Sequence, residues 1–156
     1  IQEEITTFMT NLVASALPHD VADEIYRQLR IAHEYESIGD NIENLERLDG
    51  KMKQYGANDS SKFHKCITEL SDCTQLVLKE INTALRTKDQ DALKEFASVR
   101  ERVQSQIKEL RSNKFDELTN VGVPPVATAV VLSILNSYVH LFSHFENIVE
   151  TLSGEA

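Results

Sequence analysis

Only five glycines and three prolines interrupt 156 residues, so this chain has few places at which it can turn sharply. Between them run long stretches of Ala, Leu, Glu, Lys and Gln, the better helix formers, and such a composition favours a few long helices. The apolar spacing agrees. In "EEITTFMTNLVASA", residues 3–16, Ile5, Phe8, Met9, Leu12 and Val13 recur at the i, i+3, i+4, i+7 spacing of an amphipathic helix, which Leu17-Pro18 breaks. Asp20 is placed to cap a second helix running to about residue 55, with Gly56 as its stop. A third helix over 61–86, capped by Asp59 or Ser60, is carried by Phe63, Ile67, Leu70, Cys73, Leu76, Val77 and Ile81. A fourth over 89–118 starts from Asp89 and runs through Leu93, Phe96, Val99, Val103, Ile107 and Leu110. A fifth spans 126–152 and is stopped by Gly154. Connections this short make neighbours antiparallel, so the expected fold is all-α: an elongated antiparallel helical bundle forming one domain over 1–156.

A chain of 156 residues can bury a sufficient core without disulfides or metal staples. Its net charge of −9 argues against a nucleic-acid surface, which would need clustered Lys and Arg, and makes cations and basic segments the more natural ligands. Cys66 and Cys73 lie two helical turns apart, about 10 Å along one axis, too far for a disulfide, so two reduced thiols are expected. From Leu118 to Phe145 there is no Asp, Glu, Lys or Arg, a span long enough to cross a bilayer. It contains Thr128, Ser133, Asn136, Ser137, His140, Ser143 and His144, however, and reads as the most buried helix of a bundle, without direct membrane insertion. The chain starts with Ile and has no basic-then-apolar leader, so a piece of a longer protein is expected.

No Gly-rich phosphate loop, nucleophile elbow or Cys-His pair is present, and no His has a Glu three residues before it, which argues against a di-metal carboxylate enzyme. His19 and His64 read as a helix-start residue and a boundary residue. The second helix holds the one pattern that points to chemistry. With Glu36 set at zero, Ile25, Leu29, Ala32, Asp40 and Glu43 fall within about 40° of it, and His33 and Asn44 within about 80°. Ile38, Ile42 and Leu45 form an apolar face on the other side. Glu36 and Asp40 are thus expected to turn toward the bundle, where two carboxylates one turn apart would repel unless a hard cation or a basic side chain such as Arg47 lay between them.

The string "LRIAHEYESIGDNIENLERL", residues 29–48, resembles the motif helix of the PhoU family. Glu36, Ile38, Gly39, Asp40 and Asn44 match that pattern in register, while Ser37 stands where Arg is usual. The resemblance implies an all-helical fold of two three-helix repeats, the second of them incomplete here, and carboxylates that in some members bind iron or zinc. It also implies a close helix approach at Gly39. A second motif helix is then expected in "SYVHLFSHFENIVETL", residues 137–152, where Asn147, Ile148 and Glu150 align but Val139 and Ser143 replace the second carboxylate pair. His144 falls on a position where the family often has His, and His140 is one turn away. The expected metal residues are therefore Glu36 and Asp40, with Asn44, His140 and His144 as additional candidates, and the cofactor a divalent or trivalent ion.

By the same resemblance the chain is expected to be a non-enzymatic regulatory domain at the cytoplasmic face of the cell membrane, at the C-terminus of a sodium/phosphate cotransporter-related protein. Its partners would be the transporter's membrane domain, a phosphate-sensing protein or a second copy. A free-standing PhoU-type phosphate-signalling regulator and a structural adaptor without metal are the alternatives.

Overall fold

The computed structural model describes residues 2–13, 18–54, 61–88, 90–119 and 125–154. They form five α-helices: α1 (Gln2–Val13), α2 (His19–Gln54), α3 (Ser61–Thr87), α4 (Phe96–Thr119) and α5 (Pro125–Ser153), with a 3-10 turn at Gln90–Leu93 before α4. No strand occurs among the described residues, and the all-α helical bundle expected from the sequence is the fold observed.

Cross-helix pairs fix the directions. Tyr35 meets Asn82, Glu69 meets Gln106, Arg100 meets Glu146, and Glu34 meets His144 while Asn44 meets Ser137. In the last two pairs residue numbers rise along α2 as they fall along α5, so these helices are antiparallel; Cys73 with Arg102 and Arg111 with Asn136 give the same result for α3/α4 and α4/α5. The result is an up-down-up-down bundle of α2 to α5, with α1 packed on α2. At its centre lies α5, which packs against α2, α3 and α4 and buries Leu135, Leu141, Phe145 and Ile148 completely. Phe142 and Phe145 meet edge to face, with ring centroids 5.4 Å apart. By length and composition α5 could span a bilayer; in this fold its apolar residues are the core itself.

Helix ends show what sequence signals captured. Pro125 occupies the first position of α5, where its missing N–H is no loss, and Gly154 takes φ +75 just beyond Ser153, the left-handed stop expected of it. The start of α2 differs from expectation. The Pro18 carbonyl accepts from the amides of Val21 and Ala22, both at 3.1 Å, so Pro18 takes the capping position and Asp20 lies inside the first turn, complementing the helix dipole. The fourth helix also starts later than Asp89, which lies outside the described residues, as do Gly56, Asp59 and Ser60. Lys88, at φ 54, ends α3; the 3-10 turn that follows ends on buried Leu93, and buried Phe96, three residues on, opens α4.

Cys66 and Cys73 form no disulfide, and the Cys73 sulfur accepts from Arg102 Nη2 at 3.2 Å.

Candidate functional site

The face that α2 buries has a strict heptad spacing. Ile31, Glu34, Ile38, Asn41, Leu45, Leu48 and Met52 follow one another at steps of three and four, the seam pattern of helices packed nearly in line. All but Asn41 and Leu45 are buried, and those two partly so. Among the described residues Glu34 is the one buried carboxylate, at 9% exposure. Against it α5 brings His144 and Asn147, three residues apart and hence on one face.

Burying a carboxylate costs several kcal/mol unless its oxygens are satisfied. Here both are. His144 Nδ1 lies 2.7 Å from Glu34 Oε2, and Asn147 Nδ2 donates to Glu34 Oε1 at 3.0 Å. An ionised carboxylate only accepts, so the proton of this pair sits on Nδ1 and Nε2 points away from Glu34. A second polar pair lies farther along the seam. Asn44 Nδ2 donates to Ser137 Oγ at 2.8 Å, while its own Oδ1 accepts from Arg47 Nη2 at 2.7 Å. Slipping α5 by one turn against α2 would break both sets at once, so the two pairs lock the register of the closest helix contact in the bundle.

The expected site residues divide between this seam and the solvent. The expectation that Glu36 and Asp40 turn inward is corrected: both are on the exposed face of α2, and the Glu36 carboxylate has His33 Nδ1 at 3.7 Å. Gly39 is exposed as well, and a Cβ placed on it would meet nothing within 4 Å, so it is not a point of close helix approach. The reason is the partner of the first turns. Ala22, Ile25 and Leu29 are partly buried on a helix that receives α1, but α1 is only 12 residues long, and the stripe those residues start runs out into solvent by Glu36.

Asn44 lies in the seam, where it is engaged by Ser137 and Arg47. Half-buried His144 is oriented by Glu34, and His140 is exposed on α5. The structure brings Asn44 and His144 into the same helix interface. It does not gather Glu36, Asp40, His140 and His144 together: no group of three or more His, Cys, Asp or Glu side chains suited to a metal ion occurs among the described residues.

Sequence reasoning missed Glu34. The available signal was the 3.5-residue period from Ile31 to Met52, which places Glu34 on the core side and Glu36 off it. The chain matches no family model, no curated protein and no solved structure.

Proposed function

We propose that this bundle is a regulatory and interaction domain of the PhoU-like kind, coupled to phosphate transport at the cytoplasmic face of a membrane, with no catalytic role of its own. One observation carries this reading: the two segments in which the resemblance resides, residues 29–48 and 138–152, lie side by side as the α2 and α5 seam, joined by Glu34, His144 and Asn147. Two motif helices that form one interface are a unit through which a signal can pass, because a locked register has a discrete alternative when it slips.

For a metal, Glu36 and Asp40 offer two oxygen donors one turn apart on an exposed face. They fit a half-site rather than a closed coordination shell, and a hard cation held there would keep several waters. His144 offers Nε2 from a ring fixed through Nδ1, the usual way a carboxylate orients a histidine ligand. The fully satisfied hydrogen bonds of the seam favour a second reading, a structural adaptor in which Glu34 only sets helix register.

The test uses the complete protein in its own cells. Deletion of this domain is expected to change phosphate uptake and the response of a phosphate-starvation reporter while the protein still accumulates. Unchanged uptake and reporter response would reject the proposal, and elemental analysis of the purified protein, with and without chelator, separates its metal-binding form from the adaptor.

A further inference from the structure

Four helices closing a ring should leave no gap on the side where α2 faces α3, yet a cleft of about 530 Å³ lies there, floored by α5. Its apolar walls are Ile42 and Leu45 from α2, Ile67 and Leu78 from α3, and Ile134 and Leu141 beneath them. Ile42 remains 44% exposed, a large apolar residue that folding alone does not cover. On α2 the lining runs from Ile42 to Met52, and on α3 from Ile67 to Leu78, so the trough is about 15 Å long, nearly three turns of helix. Its lining charges are acidic: Glu46 and Asp49 stand on the α2 wall, Asp49 also pairing with Lys53 one turn on at 2.5 Å. Thr68, Ser71, Thr74 and Gln75 are the uncharged polar groups opposite, and no Lys or Arg lines it among the described residues.

We propose that this trough is a docking groove for a basic amphipathic helix of a partner protein, an interaction that goes beyond the α2/α5 seam and does not depend on it. The partner lays an apolar stripe of i, i+3, i+4, i+7 side chains along the floor and sets Lys or Arg beside Glu46 and Asp49. The charge pattern selects this occupant over a second copy. A chain of net charge −9 repels itself, and its own short amphipathic helix, α1, carries Glu3 and Glu4 and no basic residue to offer. The Tyr138 hydroxyl reports on the groove. Its pKa is raised first by burial and then by the negative charge of Asp49.

The experiment follows binding of a fluorescent synthetic helix of about 15 residues, Leu on one face and Lys on its flanks, by anisotropy. Compared with it are a peptide with the same Leu positions and Glu for Lys, and a scrambled Leu/Lys peptide. The Lys peptide is expected to bind at least about tenfold more tightly than either, a difference of about 1.4 kcal/mol. Glu46→Lys with Asp49→Lys should remove that preference. Ser71→Trp, which fills the trough, should abolish binding with the helical circular dichroism unchanged, and Ile42→Glu at an exposed position replaces it if the Trp variant fails to fold. Glu36→Gln with Asp40→Asn, on another face, should leave the affinity for the Lys peptide unchanged. Equal binding of the scrambled peptide, equal loss on neutralising Glu36 and Asp40, or binding indifferent to Glu46 and Asp49 would overturn the proposal. So would a dimer in sedimentation that Ser71→Trp dissociates, which assigns the groove to a second copy. A dodecyltrimethylammonium monomer that binds and is not displaced by the peptide would make the cleft a small-ligand pocket and overturn it equally.

Discussion

Glu34 and Glu36 are two residues apart on one helix and have opposite circumstances. The first is 9% exposed, with both oxygens bonded across the α2/α5 interface; the second has a side chain 46% exposed and a histidine 3.7 Å away on its own helix. Two residues rotate a side chain by about 200° around the axis, enough to exchange core for water. What decides each carboxylate's role is therefore the helix opposite, α5 for Glu34 and solvent for Glu36, rather than the local motif. A buried acid that finds two donors sets helix register. An exposed acid one turn from another contributes charge and almost nothing to folding.

The largest effect expected from this comparison is at Glu34. Glu34→Ala removes the acceptor for two α5 donors and should cost about 2–3 kcal/mol, seen as a melting midpoint lower by about 5–10 °C in a chain of this size. His144→Ala should cost less, because Asn147 still satisfies Oε1, and the double variant should show a coupling of about 1 kcal/mol or more in a mutant cycle. Additive losses would mean that the pair does not act as one unit. Asn44→Ala comes next. It loses the bond to Ser137, itself buried, and should cost about 1 kcal/mol.

Much of the fold was legible because long helices announce themselves through period and punctuation. Leu70, Cys73, Val77 and Ile81 on α3, and Phe96, Val99, Val103, Ile107 and Leu110 on α4, are core positions at the spacing read from sequence. Gly154 ends α5 as a glycine should. The site was legible only in part. Asn44 and His144 are in the interface that couples α2 to α5, but Glu36 and Asp40 are not, because extrapolating the stripe of Ile25 and Leu29 assumes one partner along the whole of α2. That helix of 36 residues meets α1, α5 and, through Tyr35 and Asn82, α3. A reading at period 3.6 also drifts by about 20° per heptad from a seam that repeats every 3.5, about 40° over four turns, which blurs the edge of a stripe but does not exchange one face for another. The groove between α2 and α3 was illegible for another reason: how far two helices stand apart depends on the volume of what lies between them, which no periodicity records.

A carboxylate on α3 sharpens the comparison from the opposite side. Glu80 is partly exposed, but its Oε2 is shielded from water and has no hydrogen-bond partner among the described residues, unlike the oxygens of Glu34. Burial first, and the charge of Glu95 second, raise its pKa above the usual carboxylate range. An acid whose pKa is raised by folding favours the native state at pH below its unfolded value, and that contribution is lost as pH rises through the raised native value. At pH 7 the ionised group therefore works against the fold. Glu80→Gln should raise the midpoint at pH 7 by about 1 °C, the effect being screened at a partly exposed site. The gain should vanish at pH 4, where the wild-type acid is protonated as well. A variant less stable than wild type at pH 7 would show that Glu80 has a partner that keeps it ionised.

The smallest effect belongs to the residues the motif singled out. Glu36→Gln with Asp40→Asn removes two exposed charges one turn apart, and relief of their repulsion should leave the metal-free protein within about 0.5 kcal/mol of wild type, on the stable side. That small gain should fade further in high salt, where repulsion between exposed charges is already screened. Thermal melts in chelator at low and high salt measure this directly. A loss of roughly 3 kcal/mol or more, the cost of leaving a buried partner charge unpaired, would show that the pair faces inward after all and would erase the contrast with Glu34. If the half-site takes up a cation, the same variant abolishes it, since amides are poor ligands for hard ions. The two measurements are independent: stability reports which way the carboxylates face, and metal content reports what they hold.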